Sequence, residues 1–214
     1  MIRNRFGIIH FLEASIMGIG DRFNQLTGKT RYVVSRIFLY LRGQEIAPLL
    51  GTLNQAGRET VDADGDLEVA GEGLVNICQS LLQLKLHWES AANEGEVFWK
   101  EGEAGDFVNE LFTDSAQRYL SDIRQDPLAE DEPLTLPITS NLVVMITVAF
   151  TGEVADLETN LADREALEYG LKALINLHYQ HRLEAIQVHF SPAQLGDELT
   201  SEQVLLNFPE LVPI

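Results

Sequence analysis

The most constraining stretch of the chain is Leu142-Val-Val-Met-Ile-Thr-Val-Ala-Phe150, apolar at every position except Thr147. Alternate residues of a strand point to opposite faces, so this segment presents apolar groups on both and belongs in the middle of a sheet. A helix is expected next, because Leu167, Leu171, Leu174, Ile175 and His178 fall on one side of a helical wheel. Leu183 to Phe190 then alternates through Ala185/Ile186, Val188 and Phe190 as a second strand. Thr200-Ser-Glu-Gln203 has the form of a capping box, opening a short helix through Val204, Leu205 and Phe208 that Pro209 ends. Strand, helix, strand in this order predicts a right-handed crossover and a parallel pair. The expected class is α+β: N-terminal amphipathic helices, then a small mixed sheet packed with helices, closing in a C-terminal βαβα unit.

Upstream, Ile2, Phe6, Ile9, Leu12, Ile16, Ile19 and Phe23 recur at intervals of three and four, predicting a helix over about Phe6–Gln25. Gly7, Gly18 and Gly20 each weaken it by about 1 kcal/mol relative to alanine, so it needs a surface to lie on. Thr30 is placed to cap a second helix, Arg31–Arg42, whose Val33, Val34, Ile37, Phe38, Tyr40 and Leu41 share an arc of about 160°. Its arginines suit an anionic lipid layer, and its apolar arc suits a protein surface equally. Ile46, Leu49, Leu50 and Leu53 form a third stripe ending at Gly57. The acidic Asp62-Ala-Asp-Gly-Asp66 reads as a tight hairpin or irregular turn, and Leu74, Ile77, Cys78, Leu81 and Leu82 mark a helix after it. Leu84–Trp88 and Val97–Trp99 read as two strands around a turn at Ala91–Gly95. Phe107 to Ile123 carries a long helical pattern, with acids before its start and Arg118 and Arg124 near its end, as the helix dipole favours. Gln125–Ser140, with Pro127, Pro133 and Pro137, reads as a linker or extended loop.

Charge divides the chain. The 214 residues carry 15 Lys+Arg and 33 Asp+Glu, a net of −18, which repels nucleic acid. Through Arg58 there are eight basic and three acidic residues, and from Glu59 onward seven and thirty, so the net charges are +5 and −23. The expected organisation is therefore a basic amphipathic segment, residues 1–58, and an acidic α+β domain, residues 59–214, with the proline-rich linker 125–140 inside it. No stretch approaches the roughly 20 apolar residues of a membrane helix. The opening apolar run is interrupted by His10 and Glu13 and lacks an Ala-x-Ala cleavage pattern, so it is read as retained in the mature protein. A single cysteine excludes disulfide frameworks and fits a reducing compartment.

Three segments carry a resemblance: Leu142–Gly152, Leu183–Pro192, and Leu199 to Pro213 with its Phe208-Pro209. Together they resemble the C-terminal signature of a cyanobacterial and chloroplast family of unknown function (DUF1517-like) that includes the plant fluctuating-light-acclimation protein. Ile46–Leu82 is similar to that family's leader, acidic turn and Gly-Leu helix. Many relatives carry a glycine-rich tract and hydrophobic membrane segments near the start; this chain has neither, so integral membrane residence does not transfer. The resemblance implies a role in photosynthetic membranes or light acclimation, without an assigned reaction.

Candidate chemistry is sparse. His178 and His181, three residues apart, would need His189 or an acid to hold a metal, and no His-Glu-x-x-His motif accompanies them. The Asp62–Asp66 turn does not fit a calcium loop: with Asp62 first, Leu67 replaces the required glycine at position six, and with Gly65 there, Gly71 replaces the closing glutamate. Cys78 lies on a buried stripe and reads as an inert core thiol. Ser191 lacks a nucleophile elbow, no phosphate-binding glycine loop occurs, and Trp88 and Trp99 read as core or interface aromatics. No catalytic, metal or cofactor site is expected. The binding residues expected are Arg3, Arg5, Arg22, Lys29, Arg31, Arg36 and Arg42, which either dock on a membrane or pack on the chain's own acidic body.

The functional expectation is a non-enzymatic accessory protein, cytoplasmic and peripheral on the cytoplasmic (stromal) face of the thylakoid. It would assist assembly, stability or regulation of a photosystem-related complex, contacting that complex or the anionic membrane surface and no nucleic acid. The alternative is a soluble α+β enzyme or small-ligand binder with its site at the C-terminal ends of the 142–150 and 183–190 strands.

Overall fold

The computed structural model describes residues 8–9, 30–122, 139–192 and 199–214. Among the described residues six strands form one sheet: β1 (Ile8–Ile9), β2 (Tyr32–Arg42), β3 (Trp88–Phe98), β4 (Asn141–Thr151), β5 (Leu183–Ser191) and β6 (Val212–Pro213). Their order is β1-β5-β4-β2-β3-β6, and every pairing is antiparallel. Five helices accompany them: α1 (Ala47–Asp62), α2 (Leu67–Gln83), α3 (Glu101–Asp122), α4 (Arg164–Tyr179) and α5 (Ser201–Asn207). The fold is α+β, with β4 central as its two apolar faces require.

The core clusters divide by strand parity. Leu39, Leu41, Val144, Ile146, Phe150, Val188 and Phe190 face α1, α2 and α4. Phe38, Val143 and Met145 face Leu199, Val204 and Phe208 at the C-terminal end, while Val34 and Ala149 face Val108 and Leu111 of α3. The sheet is thus covered on both sides. On the first side Gly73 packs against Ala56 at the α1–α2 contact, and Gly71 leaves room for the His178 ring of α4; a methyl there would meet Nδ1 at 2.1 Å.

The segment 31–42, expected as an amphipathic helix, is strand β2, paired along its length with both β3 and β4. Its Tyr, Val, Ile and Phe residues favour strands. Because both faces of β2 are covered, apolar side chains occupy both parities, and on a wheel that mimics a broad helical arc. Residue 58 falls inside α1, and β2 lies in the same sheet as β4 and β5, so elements from both sides of the expected boundary share one core. The expected Phe6–Gln25 helix lies outside the described residues except for Ile8–Ile9, which pair as a strand with His189 and Val188. The 125–140 linker lies outside them as well, except Thr139 and Ser140.

Two further expectations are corrected. Leu84–Trp88 and Val97–Trp99 are not two strands about a turn: a 3-10 turn at Lys85–His87 leads into one continuous strand, β3, through Ala91–Gly95. The β4–β5 pair is antiparallel, with Val144 opposite Phe190 and Phe150 opposite Leu183. The reason is the connection. After Thr151 the chain runs back beside the sheet, where Asn93 holds Thr159 and Leu161, before α4 begins at Arg164. Arg164 donates to the Lys85 and Trp88 carbonyls at the opposite end of the sheet from Thr151. α4 then returns the chain to where β4 finished, and Thr151 accepts from Arg182. The return made by the 152–163 loop reverses the direction that a short crossover would have imposed.

Other expectations hold. The Ile46–Leu53 stripe is helical, although α1 continues past Gly57 to Asp62. Asp62–Asp66 is a turn between helices, with Asp64 and Gly65 at positive φ of 54° and 79° and Asp66 capping α2. The Thr200–Gln203 capping box is formed, and α5 ends at Asn207 before Pro209.

Candidate functional site: the charged stripe across the sheet

Of the expected binding residues, Arg3, Arg5, Arg22 and Lys29 lie outside the described residues. Arg31 is partly exposed: it donates to the Gly152 carbonyl at 2.8 Å and forms a two-pronged pair with Glu158. That hydrogen bond holds the Glu158 carboxyl below its ordinary range. Arg42 is exposed at the end of β2. Arg36, expected at a surface, is 3% exposed. As a strand residue it points under α3 rather than outward from a helix, and both Arg31 and Arg36 have their guanidinium groups paired within the chain.

Arg36 organises the polar part of the α3 side. It donates through Nε to Glu94 at 2.6 Å, and through Nη1 to the Leu111 carbonyl and Ser115 Oγ at 3.1 and 2.9 Å. Asp114 lies 2.7 Å from the same guanidinium and also pairs with Arg118 at 3.0 Å. Arg118 reaches Glu210 at 2.6 Å and the Asn207 carbonyl at 3.0 Å. The chain of charges Glu94–Arg36–Asp114–Arg118–Glu210 therefore ties β3, β2, α3 and the C-terminal turn together. Both guanidinium groups also lie over the Phe38 ring, 4.7 and 5.4 Å from its centre. Burial alone would raise the Asp114 carboxyl; hydrogen bonds from Arg36 and Arg118 outweigh it and hold it low.

The stripe continues along the register. Thr147 lies opposite Arg36 and Gln187 opposite Thr147. Both are buried, and Thr147 Oγ1 and Gln187 Oε1 have no hydrogen-bond partner among the described residues. His189, fully buried, stands two residues on against the Phe112 ring at 5.3 Å. Sequence reasoning missed this layer. Its only signal is an arginine inside a largely apolar segment, which the helical reading assigned to a binding surface.

The remaining candidates are dispersed. His178 and His181 converge on Glu68 of α2, at 3.8 and 3.5 Å, while His189 is on the other face of the sheet. Among the described residues no three His, Cys, Asp or Glu side chains are grouped to hold a metal ion. Cys78 is buried and burial pushes its thiol up, away from reactivity. Trp88 is core, donating to the Leu81 carbonyl, whereas Trp99 is 53% exposed. A shallow groove of about 260 Å³ between α1 and α2 is lined by polar groups including Gln55, Glu59, Asn76 and Gln79. The alternative site is expected where the C-terminal ends of the 142–150 and 183–190 strands meet; antiparallel pairing places those ends at opposite ends of the sheet. Among the described residues no helix is long and apolar enough to cross a membrane.

An antiparallel sheet with this C-terminal strand–helix–strand–helix unit defines an α+β protein rather than a parallel ligand-binding fold. Residues 31–214 match the model of a family described as a protein of unknown function, DUF1517, and the chain belongs to that family. No curated protein and no solved structure matches it.

Proposed function

We propose that the chain is an accessory protein, without catalysis of its own, that works at the periphery of photosynthetic membranes. There it engages a basic-surfaced component of a photosystem-related complex and assists its assembly, stability or regulation. The membrane setting follows from the family resemblance; the mode of contact follows from where the cations go. Lys85, Lys100, Arg118 and Lys172 are all committed to intramolecular carboxylates. Arg164 and Arg182 are committed to backbone carbonyls. Arg42 is exposed, but with Arg31 and Arg36 also paired to carboxylates the outward charge of the described residues is mainly acidic, which supports contact with a basic partner over contact with anionic lipid.

Binding to isolated photosynthetic membranes, compared with protein-free vesicles of anionic lipid, tests this. Binding to the membranes that weakens steeply with salt, with no flotation on the vesicles, is the expected result. Equal flotation on both, or no association with the membranes at low salt, would overturn it.

A further inference from the structure

We propose that the outer edge of β3, from Glu94 to Phe98, is a strand-addition site for an extended partner segment that alternates basic and apolar residues. The inference rests on the acidic-body reading above and adds the place of contact and the form of the partner. β2 covers β3 along its whole length. On the other side β6 pairs only at Ser90 and Ala91, and the Asn93 side chain is taken by Thr159 and Leu161. Beyond Asn93 the outward backbone groups have no partner among the described residues. Five residues at about 3.3 Å each leave roughly 17 Å of edge, enough for a short added strand.

The side chains state what would fit. Glu94 and Glu96 lie on the α3 side of the strand, and Val97, 37% exposed, lies on the other with the exposed Trp99 just beyond. Glu94 is already paired with Arg36, so Glu96 is the carboxylate left for an incoming cation. A second copy is a poor occupant: antiparallel pairing of two such edges sets glutamates against glutamates in chains of charge −18. A strand alternating lysine or arginine with apolar residues instead places cations beside Glu96 and apolar groups beside Val97 and Trp99.

The probe is a capped Lys-Val-Lys-Val-Lys-Val peptide titrated into the full chain, read by amide hydrogen exchange and by Trp99 fluorescence. The expected result is new protection of outward amides within 94–98, binding that weakens with salt, and about tenfold weaker binding to Glu96→Lys. Protection elsewhere with salt-dependent binding would overturn the edge while leaving the acidic-body reading in place. No binding of this or any other basic probe at low salt would overturn that reading too. Unchanged affinity in Glu96→Lys, or protection of 94–98 by self-association of the chain, would overturn the choice of partner.

Discussion

The two faces of the sheet are built on different physics. Toward α1, α2 and α4 the strands contribute Leu, Ile, Val and Phe in a continuous apolar layer, with Ser35 the buried exception on β2. Toward α3 and α5 they contribute Phe38 and Met145, but also Arg36, Thr147, Gln187 and His189. The first face is held by burial and close packing, which respond to volume and hardly to pH. The second is held partly by a chain of charges, whose members desolvate one another's partners and respond to protonation. A protein of this charge can bury Arg36 and partly bury Arg118 on one face because acids from three separate elements reach them.

The largest effect is expected on the apolar face. Phe150→Ala, at a fully buried ring, should cost about 3–5 kcal/mol of unfolding free energy in denaturant titration. Arg36→Ala should cost less on the opposite face, about 1–3 kcal/mol: Glu94 loses its counter-charge and Asp114 one of its two, but both carboxylates are partly exposed and solvent screens the loss. Arg36→Met, which restores volume but not charge, should recover only the packing part of that loss. If the methionine and alanine variants are equally unstable, the stripe contributes through Arg36's charge rather than its volume.

Gly71→Ala should cost about 1–3 kcal/mol, since the methyl collides with the His178 ring between two helices. A loss below that range would show that α2 and α4 part more readily than the packing implies.

The smallest effects are those of pH, and they separate the faces. Asp114 and Glu158 sit below the ordinary carboxylate range when folded, so the unfolded chain binds protons more readily than the folded one. Their contribution is complete above about pH 5.5, past the unfolded carboxylate values, and is lost as pH falls through the depressed folded values. Asp114→Asn should flatten that acid limb of the stability curve. Glu184 has the opposite sign: partial desolvation, with Glu101 nearby, raises its carboxyl, so it lowers stability as pH rises through the raised value. Glu184→Gln should raise Tm slightly at neutral pH and leave acid stability unchanged; a lower Tm would refute that sign.

Much of the architecture was legible. The β4 apolar run, the α2 and α4 stripes and the Thr200–Gln203 box are local patterns whose periods match the elements they form. The candidate site was not. Arg31 and Arg36 read as an exposed basic stripe because the strand containing them is buried on two sides, and two-sided burial removes the alternation that distinguishes a strand from a helix. Glu94 and Asp114 stand 58 and 78 residues from Arg36 and carry no local sign of their partner.

What the sequence by itself determined is therefore the class and the charge: a buried central strand, capped helices around it, and acids in large excess over cations. What only the tertiary structure decided is direction and pairing, namely that β4 and β5 oppose each other and that Arg31 and Arg36 pair with carboxylates of distant elements. Periodicity reports how many faces of an element are covered, whereas the hand of a connection and the partner of a charge depend on groups far along the chain.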